Sequence, residues 1–248
     1  MQNRNRSWVC IALILSSIGI LSGASLPVSN MMISSPLSMF GNPAYAQDAR
    51  NKTDKLFDKG ISSAVREAAQ KGLPIFLNTI PKEDLLQYHF FSKEEFAVAA
   101  LGEPFQVYTI PPEKILTYDG KSSILDMISA SSQWLFPVIV RNESRTILAV
   151  DFIGGKWRAV EIGGGLAKPW AAVLKSWPFS SGYKHFYVRV LQAMSEFVVL
   201  LNSGKITIMP LESAVISLGI ERGKPIETPS MVSHLRKPVL DNINRFKK

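Results

Sequence analysis

The sequence WLFPVIVRNESRTILAVDFIGGKWRAVEI, residues 134–162, decides the fold. Three of its segments are rich in β-branched and aromatic residues, which predicts strands at residues 134–140, 146–152 and 156–162. Polar residues separate the first two strands. Gly154 and Gly155 supply the positive φ angles that a tight hairpin requires between the second and the third. The stretch therefore predicts a three-stranded antiparallel meander.

The middle strand of this meander carries an unbroken apolar run at residues 147–150. Such a run predicts burial on both faces, and so a central position in the sheet. In the third strand, side chains alternate between the two faces. This alternation predicts Trp157 and Glu161 on one face, and Arg158 and Ile162 on the other.

A strand, a glycine turn, a second strand and a helical segment follow one another three times, starting at Phe96, Ile147 and Phe197. The starts lie 51 and 50 residues apart, a spacing typical of repeat architectures. Such elements also recur by coincidence in α+β proteins, so both interpretations stay open. In either case residues 47–221 are predicted to form an α+β domain, a mainly antiparallel sheet of hairpins with helices packed on it.

Helices are predicted near the start of this domain and further along it. Apolar residues recur at three- and four-residue spacing in residues 52–71, which predicts an amphipathic helix. Gly72 and Pro74 are typical of a helix end, so residues 73–80 are interpreted as a short strand. Residues 122–132 are also predicted to be helical.

The first 46 residues have the features of a signal peptide. Two arginines and no acid precede an apolar run of 13 residues, 9–21, which is short for a membrane span. Small residues frame two cleavage sites, after Ala24 and after Ala46. We favour Ala46, because polar sequence begins directly after it. We therefore expect export to a periplasm or lumen, with an uncleaved anchor at residues 8–26 as the alternative.

The formal net charge of +8 is concentrated near the C-terminus. Residues 222–248 hold seven basic and two acidic residues, and the leader holds two arginines, which leaves +1 for residues 7–221. A nearly neutral body argues against nucleic-acid binding, so no nucleic-acid partner is expected. The single cysteine, Cys10, lies in the leader, so the mature protein is predicted to lack disulfides and thiolate sites.

The C-terminal segment, residues 222–248, also changes in composition. Its prolines and glycine argue against a packed element before Pro238. Beyond Pro238, apolar residues at helical spacing can form one stripe beside basic residues. Such a segment can bind a protein partner or an anionic membrane surface, with contacts from Arg236, Lys237 and Phe246. A terminus that docks on its own domain is the alternative.

No motif for catalysis, metal binding or cofactor binding is present. His89, His185 and His234 show no ligand spacing, and there is no G-x-S-x-G nucleophile elbow. The triplet Gly163-Gly164-Gly165 precedes a predicted helix but matches no nucleotide-binding pattern. We therefore predict no catalytic residues, no metal ligands and no cofactor.

Four tryptophans fall between residues 134 and 177. Most such residues fill a core, but Trp157 stands beside Lys156 and Arg158, so Trp157 and Arg158 are predicted partner contacts. The predicted function is an exported, non-enzymatic binding or assembly protein. The alternative is a cofactor-free hydrolase whose Ser, His and acid residues meet only in space. A cavity that joins His185 or His89 to a carboxylate and a hydroxyl would favour the hydrolase.

Overall fold

The computed structural model of the protein describes residues 60–163 and 165–246. The predicted leader, its cleavage after Ala46 and the first part of the predicted helix at 52–71 lie outside these ranges. Within these ranges, no helix is long and apolar enough to cross a membrane.

Eight strands in the described ranges form one sheet. They are β1 Ala100–Leu101, β2 Phe105–Thr109, β3 Ser129–Val140, β4 Glu143–Ile153, β5 Lys156–Gly163, β6 Lys184–Val190, β7 Ser195–Asn202 and β8 Lys205–Pro210. The order across the sheet is β5-β4-β3-β2-β6-β7-β8, and β1 pairs with the C-terminal end of β3. Neighbouring strands are antiparallel except β2 and β6, which are parallel. The predicted α+β fold with a mainly antiparallel sheet is confirmed.

Helices cover both faces of this sheet. The α-helices of the described residues are α1 Ser63–Thr79, α2 Pro112–Leu116, α3 Ile124–Met127, α4 Ala167–Ser176, α5 Glu212–Leu218 and α6 Thr228–Phe246. Short 3₁₀-helices are Lys82–Tyr88, Lys93–Val98, Phe179–Ser181 and Leu191–Ala193.

Side-chain alternation along the strands divides the core into three clusters. The first lies between α1 and β3–β5 and includes Phe136. The second lies between α6 and β6–β8 and includes Phe186. The third lies on the opposite face under α4, and residues such as Leu135 and Tyr187 bring both halves of the sheet into it.

The predicted meander is present as β3, β4 and β5. Its first turn contains Arg141 and Asn142 and its second Gly154 and Gly155, all with positive φ. Residues 147–150 are buried on both faces, because the clusters under α1 and α4 cover opposite sides of β4. The predicted central position of β4 is wrong, since it is second from the edge and β2 is the middle strand.

The side-chain alternation in β5 is interrupted by a β-bulge. Ala149 pairs with Glu161 but Val150 pairs with Ala159, which leaves Val160 as the extra residue. Ile162 consequently lies in the same core cluster as Trp157. The prediction that these two residues face opposite sides of the sheet is therefore wrong.

The first helix continues past its predicted end. α1 runs through Gly72 and Pro74 to Thr79, where the sequence predicted a short strand. Gly72 is buried against β5, and a Cβ there would overlap with the Cβ of Ala159. Gly72 therefore permits close helix–sheet packing instead of ending the helix. Pro74 lies on the exposed side, where water can bond the carbonyl that its missing N–H leaves free.

Two of the three predicted strand-turn-strand-helix segments are hairpins followed by a helix, namely β4–β5 with α4 and β7–β8 with α5. In the first segment Phe96 lies in a 3₁₀-helix, and β1 and β2 each pair with β3 and not with each other. A repeat across the three segments stays a prediction. The helix predicted at residues 122–132 is confined to α3, and β3 begins at Ser129.

The C-terminal segment is packed on the domain. α6 buries Met231, Val232, Leu235 and Val239 in the second core cluster. Pro238 lies inside this helix. The prediction of an unpacked segment before Pro238 is wrong, because apolar residues at helical spacing outweigh the local effect of the prolines.

Candidate functional site

A cavity of about 350 Å³ lies where the two parallel strands begin. Val107 of β2 pairs with Tyr187 of β6, so the same register places Phe105 beside His185. α4 contributes Trp170 to the lining, and the 3₁₀-helix that follows α4 contributes Phe179. The cavity thus forms at the junction between the two halves of the sheet.

Aromatic rings make up much of the lining: Phe105, Tyr108, Trp134, Trp170 and Phe179. Trp170 stacks on Phe105 with ring centroids 3.9 Å apart, and Phe179 meets His185 edge-on at 4.5 Å. Burial raises the pKa of Tyr108 to about 12, so its hydroxyl stays protonated at neutral pH. The walls therefore present ring faces and edges to a ligand.

His185 is the buried polar residue of the lining, with 6% of its surface exposed. Its Nε2 lies 2.7 Å from the carbonyl oxygen of Trp177. A carbonyl only accepts, so Nε2 carries a proton and donates it. Nδ1 is buried and has no hydrogen-bond partner among the described residues.

The imidazole of His185 is neutral at neutral pH. Burial lowers its pKa, and the bond to the Trp177 carbonyl opposes this only in part. A neutral ring protonated on Nε2 has a lone pair on Nδ1. His185 is therefore a neutral side chain of the cavity wall, and its Nδ1 is closed off from solvent.

Polar groups are otherwise few and lie towards the rim. Glu103 is exposed, and its carboxylate pairs with Arg66 at 3.4 Å. The amide of Gln106 donates to the carbonyl of Ser131 at 2.7 Å, so its own oxygen remains an acceptor. The charged side chain of the lining, Glu103, therefore lies near solvent.

The histidines are not joined to a catalytic cluster. Across residues 60–163 and 165–246, no hydrogen bond links His185 or His89 to a carboxylate or a hydroxyl. Burial, followed by the charges of Lys168 and Arg145, lowers the pKa of His89. His234 is exposed on α6. The described residues hold no cluster of His, Cys, Asp or Glu that could bind a metal ion.

Two neighbours of His185 on the same face of β6 form a closed polar network. Tyr187 donates to Glu196 of β7, and Arg189 donates to the same carboxylate from Nε at 3.0 Å. Arg189 also donates to Gln133 at 3.2 Å and to the Tyr187 hydroxyl at 3.0 Å. These groups satisfy one another, so the network connects β3, β6 and β7 and does not form a free polar site.

A buried ion pair forms a second network, in which Nε of Arg145 has no hydrogen-bond partner among the described residues. Arg145 of β4 bonds Glu95 at 2.9 Å, and both side chains are less than one-tenth exposed. The other oxygen of Glu95 accepts from the backbone of Phe91 at 2.8 Å. This pair fixes the 3₁₀-helix Lys93–Val98 on the edge of the first core cluster.

The predicted contact residues lie in separate places. Trp157 is half-buried on β5, 5.2 Å from the ring of Phe152, and Arg158 beside it is exposed. Trp157 also lines a groove that shares Gly60, Gln106 and Trp134 with the His185 cavity.

On α6, Arg236 donates to the carbonyls of Ile115 and Tyr118 and so docks the helix on its own domain. Lys237 pairs with Asp241, and Phe246 is exposed. Arg236 therefore makes hydrogen bonds within the protein's own domain. Binding of a partner protein or an anionic membrane surface by this segment stays a prediction.

The sequence did not indicate the cavity as a site. In the sequence, His185 and Trp134 are candidate residues only individually, and no local pattern marks Phe105 or Phe179 as part of a site. The cavity depends on the parallel pairing of β2 with β6, which are far apart along the chain and joined by no motif. No protein-family model, curated protein or solved structure matches this chain.

Proposed function

We propose that the protein is an exported, non-enzymatic binding protein, and that its ligand is a small molecule held in the His185 cavity. The observation that carries this proposal is the cavity of about 350 Å³ with aromatic walls at the start of β2 and β6.

The size and chemistry of the cavity support the same proposal. Small-molecule sites have volumes of roughly 300–1,000 Å³, mainly apolar walls and a few placed polar groups. The His185 cavity falls at the lower end of this range, with aromatic walls and a polar group towards the rim, the amide of Gln106. These features suit a compact ligand.

The hydrolase alternative gains no support from this geometry. A histidine that acts as a general base needs a nucleophile within hydrogen-bond reach and a group that orients its ring. Trp177 orients the ring of His185, but no nucleophile contacts Nδ1 in the described part of the chain.

Export is supported by the features of residues 1–46. The test is N-terminal sequencing of the protein recovered from the periplasmic or lumenal fraction. We expect Gln47 as the first residue. Protein that starts at residue 1 and stays with the membrane would instead support the anchor over residues 8–26.

Ligand binding is tested by blocking the cavity. Gly60 lies in its lining, and a Cβ added there meets no atom within 4 Å, so Gly60→Trp places an indole at the cavity without disturbing the core. Gly165→Trp is the matched control, because Gly165 is also exposed and equally open but lies outside the lining.

The measurement is mass spectrometry of small molecules extracted from the three mature proteins, each purified from its native cells. We expect one compound to be present with the wild type and with Gly165→Trp, and to be depleted at least tenfold with Gly60→Trp. A compound retained equally by all three proteins, or by none, would contradict the proposal.

A further inference from the structure

The edge of the sheet formed by β5 is open. Within the described residues β5 pairs with β4 alone, whereas β8, at the opposite edge, is also bridged by Ile226 through Ile208. The backbone N–H and C=O groups on the outer side of β5 have no hydrogen-bond partner in the described part of the chain. Such an edge is a template for pairing with another strand.

The bulge at Val160 places two opposite charges on the same face of this edge strand. Trp157 and Ile162 both pack in the first core cluster. Arg158 and Glu161, their respective neighbours, therefore face the other side of the sheet. Residues three apart face opposite sides of a regular strand, and the extra residue of the bulge removes this difference. Both charged side chains are exposed, and neither forms an ion pair within residues 60–163 and 165–246.

This arrangement makes β5 complementary to a second copy of itself. Two antiparallel strands related by a two-fold axis form each cross-strand contact twice, once on either side of the axis. Residues directly opposite each other project on the same side of the sheet, as Arg158 and Glu161 do. A register that sets Arg158 of one copy against Glu161 of the other thus gives two pairs of opposite charge, and such pairs stabilise antiparallel strands.

The helix above β5 presents an apolar stripe beyond the same edge. α1 packs on β5, β4 and β1, and its Arg66 reaches Glu103, the carboxylate that follows β1. This side of α1 therefore faces the interior of the sheet. Ala64, Ala68 and Ile75 share the opposite side of the helix by their spacing, and Ile75 is 63% exposed. A two-fold axis perpendicular to the sheet keeps both copies of α1 on one face, so it brings their stripes together.

From the open edge, the self-complementary charges and the helix stripe, we infer that the protein forms a symmetric dimer through β5. The two eight-stranded sheets become continuous, and the two α1 helices pack across the axis. Trp157 and Arg158, which the sequence predicted as partner contacts, belong to this interface. One strand and one side of a helix make a smaller interface than obligate dimers have, so we expect a reversible dimer.

Charge reversal tests the register. Arg158→Glu and Glu161→Arg each set like charges opposite each other at both symmetric pairs, so the dissociation constant of the dimer should rise at least about tenfold. The double variant Arg158→Glu/Glu161→Arg restores opposite charges and should restore the affinity. Lys205→Glu makes the same change of charge at an exposed residue of β8, on the other edge, and should leave the dimer unchanged. Sedimentation equilibrium of the mature proteins at concentrations up to about 1 mM measures these constants.

A mixture of the two single variants distinguishes this pairing from a general effect of charge. A chain with Arg158→Glu has acids at both positions, and a chain with Glu161→Arg has bases at both. Each cross-strand pair of the mixed dimer is then attractive, so the mixture should associate about as tightly as the wild type. Ile75→Glu tests the helix stripe and should weaken the dimer, whereas Ile216→Glu, at an exposed residue of α5, should not.

A wild-type protein that stays monomeric at every concentration would overturn this inference, and this result does not depend on the folding of any variant. A dimer to which Arg158→Glu makes no difference, or which Lys205→Glu weakens as much, would also overturn it. So would a mixture of the single variants that does not associate. The substituted residues lie outside the lining of the His185 cavity, so these results are independent of the extraction experiment with Gly60→Trp.

Discussion

At Gly72 the packing of α1 on β5 leaves no room for a side chain, because a Cβ would overlap with the Cβ of Ala159. Replacing glycine by alanine inside a helix ordinarily stabilises a protein by about 1 kcal/mol. Here we expect Gly72→Ala to destabilise it by about 1–3 kcal/mol, since overpacking a core costs that much. Urea denaturation measures the change.

The matched variants are Ala159→Gly and Gly165→Ala. In the double variant Gly72→Ala/Ala159→Gly, the new Cβ meets the Cα of residue 159 at 3.6 Å and Cδ2 of Phe76 at 3.9 Å, which are ordinary contacts, so much of the loss should be recovered. Gly165→Ala has no neighbour within 4 Å and should change stability by less than about 0.5 kcal/mol. A stabilised Gly72→Ala protein would show that α1 does not approach β5 so closely.

His185 should also make stability depend on pH. Burial lowers its pKa below the ordinary value of 6.5, so the unfolded chain binds a proton at a higher pH than the folded protein does. The stability that His185 confers is thus present above pH 6.5 and lost as pH falls through the lower, folded-state pKa. The loss is about 1.4 kcal/mol for each unit between the two values.

The measurement is the free energy of unfolding of the wild type minus that of His185→Phe at several pH values. Both proteins contain His89, whose pKa is also lowered, so its contribution cancels. We expect the difference to become less favourable to the wild type between pH 7.5 and pH 5.5. A difference independent of pH would show that the folded protein protonates His185 as readily as the unfolded chain.

Among the elements, α6 shows most clearly how burial decides structure. Leu235 is fully buried against the second core cluster, whereas Leu240, five residues on, is 45% exposed. Leu235→Ala should cost about 2–5 kcal/mol, because it removes buried methyl groups and leaves a cavity. Leu240→Ala should cost less than about 1 kcal/mol. Equal, small effects of the two substitutions in thermal unfolding would mean that α6 is not part of the core.

Local patterns predicted elements well where one signal dominated. The unbroken apolar run in β4 and the glycine pair before β5 predicted both strands and the turn between them. Gly72 and Pro74 led to a wrong helix end, because a glycine that makes room for a neighbouring side chain cannot be distinguished in sequence from one that ends a helix. The three prolines after residue 224 led to a wrong prediction for a similar reason, since Pro229 lies in the first turn of α6 and Pro238 lies inside this helix, which tertiary contacts stabilise.

Pairing between strands far apart in the chain accounts for the other differences between the predicted and the observed structure. The bulge at Val160 changes which side chains of β5 face the core, and it depends on the register with β4. The candidate site depends on β2 lying parallel to β6, so His185 acquires its aromatic neighbours only in the folded chain. The residues next to His185 in the sequence contain no information on what surrounds it in the fold.

On the scale of the whole molecule, the sheet consists of two meanders joined by β2. β3–β5 form one and β6–β8 the other, and β2 pairs with both β3 and β6. Its link to β6 comprises two pairs, Val107 with Tyr187 and Tyr108 with Val188. The third core cluster reinforces this link, since Leu135 and Tyr187 come from different meanders and pack under the same helix.

We therefore expect the two meanders to unfold together. Trp134 and Trp157 lie on β3 and β5, and Trp170 and Trp177 belong to the region of α4, so tryptophan fluorescence reports the first meander and the shared cluster under α4. Ile208 lies buried on β8, at the opposite edge of the sheet. Ile208→Val should cost about 1 kcal/mol and shift the fluorescence and far-ultraviolet circular dichroism midpoints equally, because one cooperative transition transmits the loss. Ile216→Val, at a residue 75% exposed, should shift neither midpoint.

A circular dichroism midpoint that moves while the fluorescence midpoint stays would show that β2 and the shared cluster do not couple the two meanders. The His185 cavity would then lie between two independently stable parts, and a ligand bound there would raise the stability of both.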